Sequence, residues 1–213
     1  VRDPGSANSM QIAEIELLGV PAIVLPVYIN FQQTGGDVPE GYLPDGGEVF
    51  GDRGNGYSYG WNMDSTGGAR NRNNADAPDE RYDTTQHLEK GEHRIWEIEL
   101  PNGTYDLLVA CGDANHTDQI NNMDVEGTIL NDPDGEDNYD EYTLTVDVAD
   151  GLLTIQMAEG ASNAKIMFVD ITQLRSPMSA GNPSPATEAI DVPREVMLGW
   201  EPGIYAQTHN VYL

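Results

Sequence analysis

Basic residues are scarce in this chain. Ten Lys and Arg stand against 36 Asp and Glu, giving a formal charge of −26 over 213 residues. Such a surface repels phosphate backbones and anionic lipid, which argues against nucleic-acid and membrane-surface binding. Cysteine is nearly missing too. The lone Cys111 excludes an internal disulfide, and its place in an alternating apolar stretch reads as a small buried hydrophobe. One Cys cannot build a thiolate site, and His87, His93, His116 and His209 lack zinc-ligand spacing. No apolar run reaches the ~18–20 residues of a membrane-spanning helix. Neither a signal peptide nor an initiating Met is visible, so the chain reads as a piece of a longer polypeptide. Three Phe against ten Tyr and 23 Gly favour strands and turns over packed helices.

What is present is alternation. Trp96, Ile98 and Leu100 share one face, with Glu97 and Glu99 on the other; Tyr105, Leu107, Val109 and Cys111 repeat the pattern after Pro101-Asn102-Gly103. A period of two around a turn signal predicts a β-hairpin with one buried face. Tyr142, Leu144, Val146 and Val148, then Asp150-Gly151, then Leu153, Ile155 and Met157 predict a second hairpin. Ile23 to Phe31 and Ile166 to Leu174 are nearly continuous apolar runs, as expected of strands buried on both faces. Residues 120–130 add one or two short strands. The stretch from Gln32 to Asp83 is rich in Gly, Asp and Asn and reads as a long ordered loop region, the kind of place where function often sits. About eight strands and no helix predict an all-β fold, a jelly-roll β-sandwich over residues 20–175. Before it, residues 1–19 hold an isolated strand in which Ala13, Ile15 and Leu17 alternate with Glu14 and Glu16. After it come a Pro/Ser-rich linker at 176–193 and, at 194–213, two strands of a partial immunoglobulin-like segment.

Each candidate site has a plain reading beside it. Gly56-Tyr57-Ser58-Tyr59-Gly60 fits the G-x-S-x-G nucleophile pattern, but that motif needs a strand-to-helix turn in an α/β sheet, and no helix follows here. Tyr57, Tyr59 and Trp61 alternate along the same stretch, with Tyr82 further on. Sugars present flat C–H faces to aromatic rings and hydroxyls to Asp and Asn, so these four are candidate carbohydrate contacts. The other reading is that the rings fill the sandwich or face a neighbouring subunit. Asp113, Asn115 and Asp118, and separately Asp132, Asp134 and Asp137, offer oxygen ligands at short spacing and are candidate Ca2+ ligands. Neither set completes an EF-hand, and solvated turn carboxylates are the alternative. No base, nucleophile and orienting group are visible together, so a non-catalytic protein is expected.

The order RNRNNADAPDERYDT, WEIELPNGTYDLLVACGDAN, MDVEGTIL, YTLTVDVADGLLTI, ASNAKIMFVDI resembles the malectin-like branch of the galactose-binding-like β-sandwiches, over residues 27–174. MQIAEIELLG at 10–19 resembles the last strand of a discoidin-like module, and the sequence from Asn182 onward resembles the start of an immunoglobulin-like (fibronectin-like) domain. The resemblance implies an extracellular or cell-surface unit of a large secreted bacterial protein, non-catalytic, able to bind carbohydrate and often holding structural calcium. Two functions follow as expectations. One is a structural or adhesive protein whose copies associate through incomplete terminal strands, by β-strand complementation, into a head-to-tail fibre. The alternative is a carbohydrate-binding module of a larger enzyme or adhesin.

Overall fold

The computed structural model describes residues 26–133, 137–174, 181–186, 189–193, 195–197 and 199–201. In chain order the strands are β1 (Val27–Phe31), β2 (Leu43–Asp45), β3 (Gly51–Asp52), β4 (Ser58–Trp61), β5 (Ala69–Asn71), β6 (Thr84–His87), β7 (Ile95–Glu99) and β8 (Gly103–Gly112). They continue with β9 (Met123–Val125), β10 (Thr128–Leu130), β11 (Tyr139–Val148), β12 (Leu152–Met157), β13 (Lys165–Gln173), β14 (Gly181–Ser184) and β15 (Gly199–Glu201). Among the described residues the only helical turns are short 3-10 pieces at Thr66–Gly68 and Glu80–Tyr82.

Two sheets form a β-sandwich. The first runs β11-β8-β13-β1-β2, with β6 and β5 attached at the start of β13; the second runs β10-β9-β12-β7-β4-β3. Within these sheets every strand pair is antiparallel except β1 with β2. Strands β14 and β15 pair with each other, so part of the expected 176–193 linker is strand. The expected strands at residues 1–19 and 209–213 lie outside the described residues.

Neither predicted hairpin forms. β7 pairs with β12 and β4, whereas β8 pairs with β11 and β13. The turn through Pro101-Asn102-Gly103 therefore crosses the core from one sheet to the other, and the turn at Asp150-Gly151 does the same between β11 and β12. The physical reason is simple. Alternation reports that one face of each strand is buried, and two strands facing each other across a sandwich satisfy it as well as two neighbours do. The two arches lean on one another through Asn102 Nδ2 to Ala149 O (2.7 Å) and Leu100 N to Gly151 O (2.9 Å). A true hairpin joins β9 and β10, where Glu126 and Gly127 both have positive φ, as a two-residue I′ turn requires.

The region 32–83 is also more regular than its composition implies, since β4 runs inside the second sheet against β7. Ser58 opens that strand and, among the described residues, no α-helix follows it, so the nucleophile elbow is not built. Between the sheets, Trp61, Trp96 and Phe31 are fully buried, with the Phe31 ring edge-on to both indoles at 5.8 and 5.2 Å. Among them sits the carboxylate of Asp45. Oδ1 accepts from Trp61 Nε1 (2.7 Å) and Gly47 N (2.8 Å), and Oδ2 accepts from Trp96 Nε1 (2.8 Å). Burial pushes this carboxyl above its ordinary range, while the three donors pull it back.

The tight arches occupy one end of the sandwich. Because β1 and β8 both run antiparallel to β13, the connections after β1, after β8 and before β11 gather at the other end.

Candidate functional site

At that loop end a ridge is built from Asp79 to Tyr82. Asp79 caps the short turn, its Oδ1 accepting from Arg81 N at 2.9 Å. The same carboxylate takes the Arg81 guanidinium in a fork, Nε to Oδ1 at 2.9 Å and Nη2 to Oδ2 at 2.7 Å. That geometry holds Arg81 more firmly charged than usual and Asp79 below the ordinary carboxylate range. The guanidinium lies over the Phe168 ring at 4.7 Å, and Nη1 donates to the Tyr42 hydroxyl at 3.2 Å. Tyr42 donates in turn to Asp170 Oδ1 at 2.6 Å, and burial pushes its phenol up to about 12. Beneath, buried Tyr82 stands edge-on to Phe168 (5.0 Å) and Tyr139 (5.3 Å) and donates to Glu141. Asn30 Nδ2 ties the ridge to the sheet by donating to Arg81 O (3.3 Å) and Met167 O (3.2 Å). Asp79 and Arg81 are therefore locked in place on a rigid sheet face.

Clefts open on both sides of this ridge. One of about 360 Å³ is lined by Asp37, Asn71, Asn73, Asn74, Asp83 and the ridge. The other, about 400 Å³, is lined by Pro39, Glu40, Tyr42 and the ridge. Both share Asp79 and Glu80. Among the described residues the carboxylates of Asp37, Glu40 and Glu80 take no hydrogen bond or ion pair, so they face water with free acceptors. A third cleft, of about 370 Å³, lies between the β1–β2 connection and the β3–β4 hairpin, with Arg53, Asn55 and Tyr59 in its wall.

The four aromatic residues expected to contact sugar are not one site. Trp61 is core, and Tyr59 is 1 % exposed with its hydroxyl donating to Pro44 O at 2.9 Å. Tyr59 also lines the third cleft, and Arg53 stands over its ring at 5.2 Å. Tyr57 is half-buried against the core. Tyr82 belongs to a separate apolar cluster with Ala110, Met167 and Phe168, which Tyr42 packs against. The alternation of Tyr59 and Trp61 was thus a strand signal. Tyr42, near the other aromatics in sequence, was not among the four, and Asp79 and Arg81 were missed; the signal for these two was the Pro-Asp preceding Glu80, a helix-turn capping pattern.

The first calcium-ligand set is spoken for. Asp113 is buried, bonded to Arg72 Nη2 and 3.7 Å from Lys165 Nζ, itself buried. Burial pushes the Lys165 ammonium below its ordinary range, while Asp113 pulls it back. Asp113 Oδ1 also accepts from Asn115 N at 3.0 Å, and Asn115 Oδ1 accepts from Asn74 Nδ2 at 2.9 Å. Asp118 is exposed. In the second set, Asp132 accepts from Asn121 N (2.9 Å) and Asp137 from Tyr139 N (3.1 Å), while Asp134 lies outside the described residues. Among the described residues no three His, Cys, Asp or Glu side chains come together to hold a metal ion.

No protein-family model matches the chain, and no curated protein is similar to it. Solved structures are. The protein YxiM of Bacillus subtilis is 21% identical with a TM-score of 0.50, over 73% of this chain and 42% of that one. A β-glucuronidase of Bacteroides uniformis is 14% identical with a TM-score of 0.46, over 70% and 18%. A complex of the plant peptide RALF23 with FER and LLG2 gives 11%, 0.48, and 76% and 43%. The chain spans less than half the length of each. At 21% identity the likeness to YxiM is one of fold, a β-sandwich.

Proposed function

We propose that this β-sandwich is a non-catalytic carbohydrate-binding module whose ligand lies across the ridge from Asp79 to Arg81. The observation that carries this reading is the pairing of two adjoining clefts around one rigid ridge. A half-buried Tyr42 ring supplies a flat apolar wall, and Asp37, Glu40, Glu80 and Asn73 supply acceptors and donors for hydroxyls. Sites for neutral polar ligands combine these two elements. The malectin-like resemblance in the sequence supports the same reading, and with it an extracellular or cell-surface location. Calcium is expected from the sequence, and of its candidate ligands Asp113 already faces two protein cations. A glycan array of the full chain, run with calcium and with chelator, tests the reading. Retention of at least one neutral glycan, weakened at least about tenfold in Tyr42→Ala, is the expected result. An array without signal in either condition overturns it.

A second reading, association of copies end to end, is favoured by one feature of the first sheet. Strand β11 leaves a ten-residue edge without a described partner. Sedimentation velocity across a concentration series tests it, and a single monomer boundary throughout refutes it.

A further inference from the structure

Acids outnumber bases 36 to 10 in this chain, so an acidic partner is within reach of most cations. Arg72, Arg81 and Lys165 each have one. Among the described residues Arg70, Lys90 and Arg94 take part in no ion pair, although the three stand together. They meet on the short turn Thr66–Gly68 that leads into β5. Lys90, exposed in the connection between β6 and β7, donates from Nζ to Gly67 O at 3.0 Å. Arg70 on β5 donates from Nη1 to the same oxygen at 3.1 Å and to Ala69 O at 2.6 Å. Arg94 is only 7 % exposed, and its Nη1 donates to His87 O at 3.3 Å. A Cβ built on Gly68 would lie 2.1 Å from that nitrogen, so the buried guanidinium is pressed against the turn. Its Nε is buried without a hydrogen-bond partner.

Carbonyl groups satisfy some of these donors but leave the charge uncompensated. Lost water, and then the charges of Arg70 and Arg94, hold the Lys90 ammonium below its ordinary range. Burial lowers Arg94 as well; Glu92 and Asp64 pull it back and Arg70 adds to the shift. Neither acid closes an ion pair with it, and Asp64 Oδ1 is taken by Thr66 N at 3.0 Å and Thr66 Oγ1 at 2.7 Å. Two nitrogens bonded to one carbonyl oxygen lie within roughly 6 Å of each other, so a single oxyanion reaches both. A Cβ on Gly67 would meet nothing within 4 Å, so the space over the turn is open.

We propose that Arg70, Lys90 and Arg94 form a binding site for one small oxyanion, a carboxylate or sulfate group. It sits over Gly67, bridging Lys90 Nζ and the remaining N–H groups of Arg70, while the buried Arg94 adds its field from below. The rest of the surface sets the size of the ligand. With a formal charge of −26 overall, an extended polyanion is repelled wherever it leaves the patch. A lone acidic group, free or carried as one substituent on a neutral molecule, meets only the attraction. The patch is separate from the proposed glycan clefts. Thr84 lines the first of them, and His87, whose Nδ1 bonds Gly68 O at 2.8 Å, lies three residues further along β6, roughly 10 Å away.

The test is an NMR titration of the full chain at constant ionic strength, chloride being exchanged for sulfate, glucuronate or polygalacturonate. Sulfate or glucuronate should produce saturable shifts of the Gly67, Gly68 and Lys90 amides. Arg70→Gln with Lys90→Gln should weaken that binding at least about tenfold. Glucuronate binding about tenfold tighter than sulfate identifies the acidic group of a sugar, and sulfate binding as tightly or more tightly identifies a free ion; either supports the site. Shifts that never saturate, or an unchanged affinity in the double variant, overturn it. Polygalacturonate binding more tightly per uronate than glucuronate overturns the assignment to a single small group. Amides of β8 and β13 report whether the variant is folded. Should it not fold, Lys90→Gln alone carries the same test from an exposed position, with an expected weakening of about threefold.

Discussion

Replacing Asp45 by Leu is the sharpest perturbation of the core, because it separates shape from hydrogen bonding. The carboxylate is fully buried and satisfies three donors, the indole N–H groups of Trp61 and Trp96 and the backbone N–H of Gly47. Leu has comparable bulk and no acceptor. Each donor left unpaired in the core costs about 1–3 kcal/mol, so three cost roughly 3–9 kcal/mol. Against this, the variant no longer has to strip water from a carboxylate, which returns several kcal/mol. The net expectation is a loss of about 3 kcal/mol. Asp45→Asn keeps one oxygen, which can stay with Trp61 and Gly47 while the new amide turns two donors toward Trp96. It should lose less, about 2 kcal/mol. Urea unfolding followed by tryptophan fluorescence suits the question, since two of the three indoles are the groups deprived of a partner. A Leu variant as stable as wild type, or no weaker than the Asn variant, would refute the reasoning: the burial cost would then outweigh the bonds.

Other perturbations read other parts of the molecule. Burial lowers the His87 imidazole to about 4, and its Nδ1 donates to Gly68 O at 2.8 Å. The folded state therefore favours the neutral ring; its contribution is complete above pH 6.5 and is lost as pH falls toward 4. Allowing for partial exposure, that is about 2 kcal/mol, and His87→Gln should flatten the acid side of a plot of unfolding midpoint against pH by this amount. Asp113→Asn leaves the half-buried Arg72 and the buried Lys165 without their counter-ion and should cost about 3 kcal/mol in denaturant unfolding. Adding Lys165→Met should recover part of it, and an additive loss would show that the two residues act independently. Gly112 has φ +124, and a Cβ there would lie 2.1 Å from Asn138 O, whereas Gly127 has φ +76 with nothing within 4 Å. Gly112→Ala should lower Tm far more than Gly127→Ala, whose cost is the ~1 kcal/mol of a left-handed non-glycine residue.

The sequence carried the strands well and their partners badly. Among the described residues every long run with period two became a strand, because burial of one face imposes that period whatever the neighbour is. Pairing depends on what lies across the hydrogen-bonded edge, and the pattern within a single strand holds no record of that. Hence Trp96 and Tyr105 were placed side by side, although they project into the core from opposite sheets. The same limit hid Asp45. In sequence it reads as one more turn acid in Leu-Pro-Asp-Gly-Gly; only the approach of Trp61 and Trp96, 16 and 51 residues away, makes it the polar centre of the core.

The error in pairing also explains where the proposed ligand surface arises. Had Pro101-Asn102-Gly103 and Asp150-Gly151 closed hairpins, loops would be distributed around both ends of each sheet. As arches they confine the short connections to one end, and the long ones converge on the other. Residues separated by more than a hundred positions then meet on one sheet face, as Tyr42 meets Asp170 and Asn30 meets Met167. No local motif could announce the Asp79–Arg81 ridge, because half of what fixes it comes from β1 and β13. The two aromatic residues that sequence did single out on β4, Tyr59 and Trp61, were conspicuous for the opposite reason: their spacing is local, and local spacing on this strand marks the core.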